Sequence, residues 1–119
     1  MNLEFKRKLP TLQEIKAMYP LDDALAAHKK DTDATLKNIF SGKDNRLLLV
    51  IGPCSADRED AVLDYISRLR RVQEKVADKI VIVPRIYTNK PRTTGDGYKG
   101  MLHQPDPNAD ENMLKGLIA

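Results

Sequence analysis

The chain has 119 residues, 31% of them charged, yet its net charge is only +3, so its basic isoelectric point of about 9.0 reflects a small surplus of Lys and Arg. With no Trp and 5% aromatic residues, it lacks the cationic arm and the stacking platforms that drive nucleic-acid binding. No apolar run approaches the roughly 18 residues a membrane span requires. A single cysteine, Cys54, excludes an internal disulfide, and the amino terminus lacks a signal-peptide core, so a cytoplasmic protein is expected.

Thr11 with Glu14 forms a capping-box signature for a short helix that Pro20 ends. A longer helix is expected from about Asp22 to Phe40, with Leu25, Thr32, Leu36 and Ile39 near one face and Gly42 placed to terminate it. That helix is thin in large apolar residues and carries His28, Lys29, Lys30 and Asp31, which suits a surface or a partner subunit better than a core.

Leu47 to Ile51 is a continuous apolar run, the pattern of a parallel strand covered on both faces. Asp57 is placed to cap the next helix, where Val62, Tyr65, Ile66, Leu69, Val72 and Val76 recur at three- and four-residue steps. Ile80 to Val83 gives a second buried strand, completing a right-handed βαβ unit with parallel strands. From Tyr87 to about Pro107 the chain carries three prolines and three glycines with little apolar periodicity, which marks a functional loop or disorder. Asn108 with Glu111 resembles another capping box, opening a helix striped with Met113, Leu114, Leu117 and Ile118. That stripe is still running at Ala119, and a two-stranded sheet is marginal alone, so the chain is expected to be the front part of something longer.

Parallel strands would bring two clusters to one sheet edge, where α/β proteins keep their active sites. The first is Gly52, Pro53, Cys54 and Ser55; the second is Arg85 followed by Lys90, Pro91, Arg92, Thr93 and Lys99. At a rigid strand end Cys54 suits a thiolate ligand for a transition metal, although on position alone a lone cysteine is more often an inert buried apolar residue. Pro91 stiffens the segment between Lys90 and Arg92, which lowers the cost of ordering it around an anion. Arg offers a planar fork and Lys a point charge, a mixture suited to phosphate and carboxylate together; the alternative is a solvated charge run. His28 and His103, the two histidines, lack metal-binding spacing, and the glycines at 95, 97 and 100 form no nucleotide loop.

The combination of Leu47 to Ser55 (LLLVIGPCS), Arg85, Lys90 to Thr94 (KPRTT) and Gly97 to Gly100 (GYKG) resembles the amino-terminal third of the class I 3-deoxy-D-arabino-heptulosonate 7-phosphate synthases. The resemblance runs from about Gly42 to Ala119, and Pro91, Arg92 and Thr93 separate it from the related octulosonate 8-phosphate synthases. It implies an α/β fold, a partial (β/α)8 barrel holding the first two βα units over residues 46–119. Residues 1–45 would form a helical extension, which the family uses for effector binding and subunit pairing.

The implied activity is condensation of phosphoenolpyruvate with erythrose 4-phosphate, releasing phosphate, in the shikimate pathway, by a homo-oligomer using a divalent metal of the Mn, Fe, Co or Zn type. Cys54 would be a metal ligand, Arg85 and Lys90 catalytic residues holding phosphoenolpyruvate, and Arg92 and Thr93, with Pro91 between the cations, would bind the aldose phosphate. The family's other ligands, a His, a Glu and an Asp, fall on later strands outside these 119 residues, so the chain alone is expected to be inactive. The competing functions are an oligomerisation or regulatory module built on the helix from Asp22 to Phe40, and a metal-free small-anion binder.

Overall fold

The computed structural model describes residues 4, 7–92 and 94–119. Among them the order is α1 (Leu12–Met18), α2 (Asp23–Phe40), β1 (Leu47–Ile51), α3 (Glu59–Val76), β2 (Ile80–Pro84) and α4 (Met113–Ile118). The Thr11 capping box forms in both directions: the Thr11 hydroxyl accepts from Glu14 N–H, and the Glu14 carboxylate accepts from Thr11 N–H at 2.6 Å. These bonds to its ionised form hold the Glu14 carboxyl below the usual range. Asp22 caps α2 through Leu25 N–H, and Gly42 ends the turn that follows with φ 73°. As its composition suggests, α2 buries none of its side chains.

β1 and β2 pair in parallel, with Leu47 opposite Ile80 and Ile51 opposite Pro84. Asp44 and Arg46 latch the entry to β1: the guanidinium lies 2.6 Å from the carboxylate and also donates to Ala77 O, at the end of α3. The same contact keeps the Asp44 carboxyl below its usual range. The expectation of strands covered on both faces is corrected, because Leu47, Val50 and Ile51 are exposed and no described strand residue is buried. The strong apolar stripe of α3 packs on β2 and α2 touches β1, yet the described strand residues stay at most half-buried. The buried cluster instead lies just beyond the strand ends, where Ala56, Val62 and Met101 meet with Ile66 against them.

Two helix starts also differ from expectation. Arg58, not Asp57, occupies the N-cap of α3, without a side-chain cap bond. The Asp60 carboxylate satisfies Ala61 N–H and binds the Arg58 guanidinium, completing locally what a capping aspartate would have done. Asn112 rather than Asn108 caps α4; Asn108 N–H closes a turn onto Asp106, and Glu111 faces Lys99 at 3.4 Å. In both places a nearer side-chain partner outcompeted the pattern that the spacing suggested.

The outer edge of β2 is blunted by its own connection. Leu47 N–H donates to Lys79 O and Arg85 N–H donates to Ile51 O, so odd-numbered residues of this strand face β1 and residues 80, 82 and 84 face outward. Gln73 of α3 covers that outward row: its amide donates to Ile80 O at 2.9 Å and accepts from Ile82 N–H at 2.5 Å. Pro84 contributes no donor there. Exposed edges template association, so Gln73→Leu should convert the chain to larger species in velocity sedimentation, without loss of helical signal. A sedimentation profile like that of the unmodified chain would show that the glutamine is dispensable at this edge.

Candidate functional site

The parallel register brings the two sequence clusters together. Directly after β1, Gly52 and Pro53 turn the chain so that Cys54 is exposed at the strand's carboxyl end. Directly after β2, Arg85 reaches back 2.8 Å to Pro53 O, and its guanidinium carbon sits 4.9 Å from the Tyr87 ring centroid. That bond and the aromatic face fix a side chain that would otherwise wander.

Lys90 closes the arrangement, its ammonium 3.2 Å from the Cys54 sulfur. The segment is held from behind, because Lys90 N–H donates to Lys99 O and Leu102 N–H donates to Thr88 O. The Lys90 hydrogen bond, then its charge, with weaker help from Arg85 and Arg92, pulls the Cys54 thiol below its ordinary range toward thiolate. This answers the open alternative for Cys54 in one respect: the thiol is an exposed sulfur in a cationic field, not an apolar filler. A thiolate is the nucleophilic and metal-binding form of cysteine.

Arg92 is exposed and folds back so that its Nε donates to Tyr98 O at 3.0 Å. Lys99, counted with the cations in the sequence, is offset by Glu111 and supplies its carbonyl rather than its charge. Pro91 lies exposed between Lys90 and Arg92, and Thr93 falls outside the described residues. His28 lines a cleft of about 510 Å³ with Ile66, Leu69 and Gln73, a lining that does not include Cys54. His103 contacts the Asn89 amide oxygen at 3.3 Å.

The segment from Tyr87 to Pro107 forms no helix or strand among its described residues, yet it is tied down. Ala56 N–H donates to Tyr87 O, Met101 N–H donates to Ala56 O, and Met101 is buried. Two contributors were missed in the sequence. Tyr98 sits half-buried with its hydroxyl among three carbonyls of the site's loops, and Gln73 is a polar residue within the apolar stripe of α3. An isolated aromatic in a glycine-rich loop, and an amide in an otherwise apolar row, were the available signals.

Among the described residues there is no group of three or more His, Cys, Asp or Glu side chains placed to hold a metal ion. Cys54 by itself has the chemistry of a soft donor, since its sulfur is exposed and drawn toward thiolate. The residues therefore fit one corner of a metal site.

A βαβ unit with a thiol and three cations gathered at its strand ends defines an α/β protein that brings these groups together on the loops following its parallel strands. The chain belongs to the DAHP synthetase I family, whose sequence profile matches residues 23–117. It is 42% identical over 99 residues to the phospho-2-dehydro-3-deoxyheptonate aldolase of Haemophilus influenzae, covering 83% of this chain and 27% of that protein. It is 36% identical over 109 residues to the Trp-sensitive aldolase of Escherichia coli K12, covering 92% of this chain and 31% of the relative. In structure it is similar to the phospho-2-dehydro-3-deoxyheptonate aldolase from Francisella tularensis, with a TM-score of 0.87 and 30% identity over 98% of this chain and 34% of that one. The chain thus spans about a third or less of the proteins it matches.

Proposed function

We propose that residues 46–119 form the opening of a (β/α)8 barrel, preceded by a helical extension over residues 1–45, in a synthase that condenses phosphoenolpyruvate with erythrose 4-phosphate. The observation that carries this reading is the meeting of Lys90 and Cys54 at 3.2 Å, with Arg85 anchored beside them. Lys90 and Arg85 grip the phosphate and carboxylate of phosphoenolpyruvate, and Arg92, with Thr93, takes the phosphate of the aldose. Two anionic substrates repel each other in water, and fixed cations remove that repulsion and align the reacting carbons. Pro91 limits the swing of Lys90 against Arg92 and so fixes the spacing between the two anion sites.

Cys54 would hold a divalent metal of the Mn, Fe, Co or Zn type, which when bound polarises the aldehyde oxygen. Lys90 draws the sulfur toward the thiolate form that a metal would take. Cobalt(II) added to the chain should give a sulfur-to-metal charge-transfer band that Cys54→Ser abolishes; a band that survives the substitution would remove Cys54 from the metal.

The reading is tested by titrating the chain with phosphoenolpyruvate and following amide shifts by NMR. Expected are saturable shifts centred on residues 52–56 and 85–92, weakened at least tenfold by Lys90→Met, since hydrogen bonds to charged groups contribute about 1.5–3 kcal/mol. Shifts elsewhere, or none, would overturn it. We further place the protein in the cytoplasm; no described helix is long and apolar enough to cross a membrane.

A homo-oligomer is favoured by α2, which buries no side chain and leaves Leu25 and Phe40 exposed at 54% and 79%. Equilibrium sedimentation should detect self-association that Phe40→Ser and Leu25→Ser reduce; a strict monomer at high concentration would exclude pairing through this helix.

A further inference from the structure

We infer that Tyr98 is a positioning residue that locks Arg92 and the Cys54 loop into one anion-gripping unit, which rests on the reading of Arg92 as a phosphate ligand. The tyrosine acts in two directions. Its hydroxyl lies 2.9 Å from Gln104 O and 3.3 Å from both Ala56 O and Asp57 O. Its own carbonyl accepts from Arg92 Nε at 3.0 Å. One residue therefore touches the loop after β1 with its side chain and the cationic segment after β2 with its main chain.

The three acceptors are carbonyls, which cannot donate, so the contact requires a phenol that keeps its proton. Burial, and then the nearby Asp57 charge, hold the Tyr98 phenol above its ordinary range, so it stays a donor at neutral pH. The anchor point is enclosed and hydrogen-bonded on both sides: Ala56 is 0% exposed, donates to Tyr87 O and accepts from Met101 N–H.

At the other end, the guanidinium of Arg92 lies against the chain just before Tyr98. A Cβ placed on Gly97 would stand 3.8 to 4.0 Å from its Nε, Cζ and Nη2 atoms. An exposed arginine loses much rotamer freedom when it grips a ligand. Committing Nε to Tyr98 O pays that cost in advance and leaves the two terminal nitrogens for the paired contact that phosphate accepts. The hydroxyl keeps the carbonyl in place for this purpose, through the Ala56 and Gln104 anchors.

The test is a double-mutant comparison in the full chain with inorganic phosphate as probe, read by calorimetry, with circular dichroism to check folding. Tyr98→Phe should weaken phosphate binding by roughly threefold to tenfold, the value of one hydrogen bond. Arg92→Met should weaken it as well, and Tyr98→Phe added to Arg92→Met should cause no further loss, because the phenol acts through the arginine. Equal loss in both backgrounds would show a general structural role and overturn the inference. Unchanged binding in Tyr98→Phe would overturn it while leaving the proposed function standing. Absence of phosphate binding by the unmodified chain would overturn both.

A measurement on the unmodified chain covers the case of a variant that does not fold. The Arg92 Nε–H should exchange with solvent several-fold more slowly than that of free arginine, and equal rates would overturn the inference.

Discussion

Lys90→Met should slow alkylation of the Cys54 thiol at neutral pH severalfold and move the rise of its rate with pH to more alkaline values. The ammonium 3.2 Å from the sulfur is the largest cause of the thiol's depressed range, ahead of its own longer-range charge and those of Arg85 and Arg92. The thiolate is the attacking form, so removing its main stabiliser lowers the reactive fraction. Arg92→Met should act in the same direction and less strongly, since Arg92 contributes only through its charge. Iodoacetamide rates across pH for the three proteins give the order directly. Indistinguishable profiles for Lys90→Met and the unmodified chain would show that the contact does not persist in solution.

The sign of the linked stability effect follows. A thiol held below its ordinary range in the folded chain binds fewer protons there than in the unfolded chain, so stability rises with pH across the interval between the two values and is lost as pH falls through the folded one. Lys90→Met should flatten that part of the profile. The site is exposed, so raised salt should shrink the long-range share of the effect while the direct hydrogen bond persists.

The elements legible in the sequence are those fixed by short-range chemistry. Thr11 and Glu14 find each other because the capping box is a local reciprocal pair, and the runs at Leu47 and Ile80 form strands because they are apolar, β-branched in part and too short for helices. The meeting of Cys54 with Lys90 was legible one step further, since parallel pairing of those runs leaves the two loops no other end of the sheet. What periodicity could not carry was competition among near neighbours. Asp57 had the residue type for a helix cap, but Asp60 served the amides and Arg58 took the position. Burial of the strands was misjudged because an apolar run records that a strand is to be covered, whereas α2, the described helix that touches β1, leaves Leu47, Val50 and Ile51 exposed. The roles of Gln73 and of Tyr98, which stands within the GYKG motif, were not read for a related reason: each is a polar contact across the tertiary fold that no spacing rule specifies.

Gly52→Ala should disable the site and destabilise the chain together. A Cβ at this position would overlap Arg85 O and lie 2.7 Å from Arg85 C and 3.1 Å from Arg85 Cα, all of them main-chain atoms. No rotamer change relieves such a contact, so the two strand ends must part just beyond the last paired residues, Ile51 and Pro84. The first bonds stretched are Arg85 N–H to Ile51 O at 2.9 Å and the Arg85 guanidinium to Pro53 O at 2.8 Å. Overpacking costs about 1–3 kcal/mol even when side chains can yield, and here backbone must move, so the upper part of that range or more is expected. Such a loss is a large share of the roughly 5–15 kcal/mol that stabilises a domain, and among the described residues three apolar side chains are buried. The thermal midpoint of Gly52→Ala should fall by several degrees or more, and the Cys54 alkylation profile should shift toward that of Lys90→Met, because parting the strand ends carries the sulfur away from the ammonium. A variant that melts like the unmodified chain and alkylates at the same rate would mean that the two strand ends stand farther apart in solution than the parallel register places them.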